Sequence, residues 1–70
     1  MKFLMSIAVC SFLDGTCMPY VQYPTTFDSW NSCMNYAYKE SIDIMNELDQ
    51  DMVEKNRLAT KFTCTPAHGA

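Results

Sequence analysis

The sequence predicts an α+β fold of ββαβ order: a three-stranded antiparallel sheet, strand order 2-1-3, with one long helix on one face and disulfides as staples. Three observations carry this. Apolar residues recur every three or four positions from about Thr26 to Gln50, alternating apolar runs lie at both ends of the chain, and four cysteines form an even set. With 70 residues there is room for a single domain, residues 1–70, near the size limit of unaided stability. A hydrophobic fraction of 49% against 19% charged residues still supports a packed core.

The first strand is expected over residues 2–13. Phe3, Met5, Ile7 and Val9 alternate onto one face, and Leu4, Ala8, Cys10 and Phe12 line the other, as in a central strand. Asp14-Gly15 then marks a tight hairpin turn. A second strand is expected over residues 16–22. Pro19 cannot donate to a ladder, so this strand belongs at an edge, and Pro24 closes the element.

The helix is expected over residues 26–50, with Thr25 or Thr26 as N-cap and Asp28 in the first turn. Phe27, Trp30, Cys33, Met34, Ala37, Ser41, Ile44, Met45, Leu48 and Met52 make its apolar stripe. Asn31, Asn35, Lys39, Asp43, Asn46 and Glu47 occupy the other side. Asp49-Gln50-Asp51 opposes the dipole at the C-terminal end, so the helix stops there or continues irregularly to Asn56. A third strand over residues 57–65 follows from the alternation of Leu58, Thr60, Phe62 and Cys64, and residues 66–70 form a tail.

In this topology Cys10 and Cys17 meet at the hairpin end of the sheet if the turn centres on Leu13-Asp14 with Gly15 in a bulge. Cys33, near the helix start, lies at the end where the third strand finishes with Cys64. The favoured pairs are therefore Cys10 with Cys17 and Cys33 with Cys64, the latter stabilising by roughly 3 to 4 kcal/mol. Pairing Cys17 with Cys33 and Cys10 with Cys64 is the rival, and four reduced, packed thiols are a third reading. Disulfides would imply an oxidising compartment or a virion surface.

No catalytic set is legible. His68, the single histidine, lies in the expected tail without an orienting partner. Six residues separate the nearest cysteines, unlike the close pairs of zinc or dithiol redox motifs. Asp43, Glu47, Asp51 and Glu54 read as a solvated acidic flank, balanced by Lys55, Arg57 and Lys61. The net charge of −3 argues against nucleic-acid binding, and no run approaches the length of a transmembrane span. No metal and no cofactor is expected. Met1-Lys2 followed by Phe3–Val9 and Cys10 faintly resembles a signal with a lipoprotein-type cleavage box; a buried strand is the preferred reading.

Cys10-Ser11-Phe12-Leu13-Asp14-Gly15-Thr16-Cys17, Phe27-Asp28-Ser29-Trp30-Asn31-Ser32-Cys33 and Lys61-Phe62-Thr63-Cys64 together resemble a pattern in small uncharacterised proteins of bacteriophages, marine ones especially. That resemblance implies a phage-encoded accessory protein and carries no catalytic residues. The expected function is thus a small non-enzymatic structural or protein-interaction protein, virion-associated or directed at a host protein, with a protein partner or self-association. Tyr20, Tyr23, Tyr36 and Tyr38 are its candidate contact residues, aromatics being enriched at interfaces. A secreted or lipid-anchored envelope protein is the alternative, and a thiol redox or metal-binding protein the second.

Overall fold

β1, Phe3–Ser11, is the spine on which everything else is hung. The computed structural model describes residues 2–67. Around β1 are β2 at Val21–Phe27, helix α1 at Trp30–Glu47, a short helix α2 at Gln50–Asn56 and β3 at Leu58–Pro66. The sheet is antiparallel in the order β2-β1-β3, as expected. His68 and the end of the expected tail lie outside the described residues.

Alternation along β1 decides the layers. Met5 and Ile7 are buried beneath α1, together with the row Cys33, Ala37 and Ser41 on the helix. Cys, Ala and Ser at i, i+4 and i+8 are small, so the helix axis can approach the sheet closely. Phe3, Tyr23, Phe27, Met34, Tyr36 and Phe62 seal this core of Met5, Cys33, Ala37 and Cys64 around its margins. Ser41 Oγ is buried and has no hydrogen-bond partner among the described residues, a burial that costs on the order of 1 kcal/mol.

The hairpin turn obeys its sequence signal. Phe12–Gly15 form a four-residue loop in which Ser11 N–H donates to Thr16 O at 2.7 Å and Gly15 N–H donates to Ser11 O at 2.9 Å. Gly15 has φ 77°, the left-handed conformation that closes such loops. Asp14 accepts from the Thr16 amide at 3.0 Å and from its hydroxyl at 2.7 Å, locking the loop from the side chain.

Apart from the turn, the element boundaries differ from expectation. β1 ends at Ser11 instead of residue 13, because Phe12–Asp14 make the turn. The returning strand is not at 16–22: only Cys17 bridges back to β1, opposite Cys10. Pairing resumes at Val21 and runs to Phe27, with Pro24 inside the strand at a register irregularity between Leu4 and Ser6. An edge strand tolerates such a proline at a bulge.

Because Thr25 and Thr26 are spent in that strand, the helix starts at Trp30 and not at residue 26. Its cap is Ser29, whose hydroxyl accepts from Ser32 N–H at 3.0 Å. Phe27 thereby belongs to the sheet, and Cys33 to the first helical turn. Asp28 precedes the helix and pairs with Lys2.

At the other end the single helix to residue 50 becomes two. Leu48 leaves helical conformation, and Asp49 caps α2 by accepting from Asp51 N–H at 2.9 Å and Met52 N–H at 3.4 Å. Gln50 Nε2 donates to the Met45 and Leu48 carbonyls at 2.9 Å each, satisfying the end of α1. The acidic residues that weaken one helix end thus begin another. Arg57, in the left-handed region at φ 53°, closes α2 and turns the chain into β3, which runs to Pro66 instead of ending at 65.

Candidate functional site

Both favoured disulfides are present: Cys10–Cys17 and Cys33–Cys64, with no cysteine left free. Pleat alternation puts them on opposite sides of the sheet. Cys64 is opposite Met5 in the ladder and joins Cys33 under α1. Cys10 lies on the alternate face, buried, while Cys17 is exposed. Bridges so placed tie the helix to β3 on one side and the hairpin to itself on the other.

The four candidate tyrosines divide. Tyr23 and Tyr36 are half-buried and pack edge to face at a centroid distance of 6.0 Å, with Phe27 5.1 Å from Tyr36. Tyr23 hydroxyl donates to Glu40 Oε1 at 3.0 Å. Burial first, and then that carboxylate, raise the Tyr23 pKa above its usual value of 10.0. These two help seal the core margin, and Tyr23 also lines the cleft described next. Tyr20 and Tyr38 are exposed, on opposite flanks of the molecule. Tyr38 stacks edge-on against Phe62 of β3 at 5.0 Å.

Tyr20 lines a concave apolar feature. Ladder pairing lapses over Pro19 and Tyr20, between Met18, whose N–H donates to Val9 O at 2.9 Å, and Val21, which pairs with Ile7. These four residues form one wall of a cleft of about 520 Å³ whose floor includes Ile7 and Ile44. Met18 and Val21 are 64% and 62% exposed, so the rim is apolar as well as the floor. Sequence reasoning missed this cleft because it read 16–22 as continuous strand; Pro19 was the available signal.

Charged groups do not converge. Lys39 pairs with Asp43 at 3.6 Å and Arg57 with Glu54 at 3.5 Å, both on the surface. The helix break separates Asp43 and Glu47 from Asp51 and Glu54, so the expected acidic flank is not one row. A shallow depression of about 460 Å³ is lined by Asp51, Glu54, Lys55 and Arg57, with charges balanced. Among the described residues no group of three or more metal-ligating side chains is assembled, and no helix is long and apolar enough to cross a membrane.

Asp14 and Asp28 are held below the usual carboxylate pKa, Asp14 by the Thr16 hydroxyl and amide, Asp28 by the Lys2 ammonium. Depressed values mean that their contribution to stability is present above about pH 4 and lost as pH falls through the folded values. Both side chains are at the surface and structural.

No family model matches the chain, nor does any curated protein or solved structure.

Proposed function

We propose that this is a small non-enzymatic protein-interaction protein, held rigid by two disulfides, that accepts an apolar side chain of a protein partner in the Met18–Val21 cleft. The observation that carries the reading is the cleft itself: about 520 Å³, apolar in floor and rim, beside exposed Tyr20. Concave apolar surface with an aromatic at its edge is what partner anchors fill. Its walls are preorganised, since Cys10–Cys17 pins the segment just before it and β2 pins the segment just after. A virion-associated or phage accessory setting, suggested by the sequence pattern around the cysteines, is part of this proposal, and two disulfides fit an extracellular particle.

A signal-peptide role for the first residues has less support. Processing before Cys10 would remove most of Phe3–Ser11, the strand that both neighbours pair with.

The test is site-specific photo-crosslinking during native expression, with a photoactivatable phenylalanine analogue replacing Tyr20. A discrete protein adduct from this position, absent when Val21→Arg is added to fill the rim with charge, is expected. If a probe at Thr63 on the bare sheet face yields the same adducts, or Tyr20 yields none, the cleft is not a binding site.

A further inference from the structure

The sheet has two free edges, and they are unlike. β2 is bent by its register irregularity and interrupted by Pro24, devices that spoil an edge for pairing. β3 is nine residues of regular ladder, with β1 on one side and, among the described residues, no strand on the other.

Which backbone groups β3 turns outward follows from its register. Arg57 O accepts from Phe12 N–H at 3.0 Å, and Ala67 N–H donates to Lys2 O at 2.8 Å. Hydrogen-bonded pairs recur at every second residue of an antiparallel ladder. Ala59, Lys61, Thr63 and Thr65 therefore spend their amides and carbonyls on β1. Leu58, Thr60, Phe62 and Cys64 direct theirs to the open edge, and no proline interrupts these outward positions before Pro66.

The layer above this edge is apolar. Phe62 lies on the helix side of β3 under Tyr38, and Ile42 follows one turn along α1. Tyr38 and Ile42 are 57% and 61% exposed, with Met34 half-buried one turn before. A strand edge and an apolar helix flank thus form one side wall of the molecule, two layers deep.

We propose that this wall is a homodimer interface, in which β3 pairs antiparallel with β3 of a second copy to give a six-stranded sheet carrying both α1 helices on one face. Self-complementarity selects a second copy as the occupant. Full overlap of Leu58–Pro66 with itself places the two-fold axis at Phe62, the central residue of the strand. Phe62 then faces its own copy, and Thr60 faces Cys64 of the other chain. All of these are outward-pointing positions, so each free amide meets a free carbonyl.

Charge is compatible with the same axis. Lys61, the one charged residue of β3, falls opposite Thr63 of the second copy and not opposite itself. On the helix layer Tyr38 and Ile42 meet their counterparts across the axis.

The area is adequate for a reversible dimer. An edge of nine residues is about 30 Å long. Across two layers of roughly 15 Å it covers on the order of 450 Å² per copy, about 900 Å² in all, which is under the roughly 1,000 Å² of a stable interface and in the range of weak, transient association. The dimer is accordingly concentration-dependent. It leaves the Met18–Val21 cleft, on the β2 side, at the two outer ends, so the inference stands apart from the cleft reading.

Sedimentation equilibrium of the oxidised full chain from micromolar to millimolar concentration tests it, alongside amide exchange at Thr60 and Phe62. The mass is expected to rise from 8.0 kDa toward twice that value, with Thr60 and Phe62 amides gaining protection over the same range. Thr60→Pro removes one outward donor without touching the β1 ladder, and Ile42→Lys charges the helix flank; each should weaken association at least tenfold while thermal unfolding stays cooperative. Val21→Arg, at the cleft, should leave the dimer intact. A mass of one chain at every concentration overturns the proposal. So does association that survives both Thr60→Pro and Ile42→Lys, or that Val21→Arg abolishes.

Discussion

Tyr23 shows how a single side chain couples a core margin to pH. Its ring packs against Tyr36, and its hydroxyl reaches Glu40 across from β2 to α1. The pKa is raised by burial and by the carboxylate, so the folded state favours the neutral phenol. The stabilisation is therefore fully present below the unfolded value near 10 and is lost as pH rises through the higher folded value. Ultraviolet titration is expected to show Tyr23 ionising above the usual phenol value. Tyr23→Phe should remove that late step and cost about 1 kcal/mol at neutral pH. If the step lost in the variant does not lie above the usual phenol value, the Glu40 contact is not formed. At this scale the sequence was informative about cysteine pairing and did not tell covered tyrosines from exposed ones. A cysteine pairs with one of three others, whereas whether Tyr36 is covered depends on Phe27, which moved from the helix into β2.

The hairpin and the helix pair show what local signals settle for an element and what they leave to the partner. Asp14-Gly15 named the turn correctly because its chemistry is local: an αL glycine and an aspartate that accepts from Thr16. The start of α1 was misplaced because Thr25 and Thr26 are acceptable caps and good strand residues alike, and pairing with β1 decided between the two. The break at Leu48-Asp49 was half legible as a run of acids, since Asp49 is also a cap. Gly15 isolates the local term. No atom lies within 4 Å of where its Cβ would be, so Gly15→Ala meets only the cost of φ 77°. Urea unfolding of the oxidised chain should show a loss of about 1 kcal/mol, and Gly15→Asn should lose less. If alanine proved as stable as glycine, the loop would not require the left-handed conformation.

For the molecule as a whole, the strand order and both cysteine pairs were legible because a chain with so few elements has few ways to cover its most apolar strand. The cleft was not legible, since it arises where pairing lapses. The two staples differ in weight. Cys33–Cys64 spans 31 residues and is buried in the core, whereas Cys10–Cys17 spans 7 and ends at exposed Cys17. Chain entropy gives about 4 kcal/mol for the first and about 2 kcal/mol for the second, against a total of roughly 4 to 10 kcal/mol for a domain of this size. Replacing Cys33 and Cys64 by alanine should abolish cooperative unfolding, while the same change at Cys10 and Cys17 should only lower its midpoint. Mass mapping under graded reductant should find Cys10 and Cys17 alkylated first; simultaneous release of both pairs would contradict this ranking.

The hydrogen bond between Lys2 and Ala67 brings the two ends of the described chain side by side, at the start of β1 and the finish of β3. Tension applied there would peel the two strands apart one rung at a time, the weakest way to load a sheet. Of the described residues only Thr65, Pro66 and Ala67 lie beyond Cys64, however, so the peeling of β3 halts almost at once and the load passes through sulfur into the first turn of α1. The segment from Cys33 to Cys64 then adds no length however hard the ends are pulled. What yields under force is β1 up to Cys10 and the chain from Cys17 through β2, since Cys10–Cys17 bypasses the turn in the same way, and the core disulfide serves as a mechanical stop.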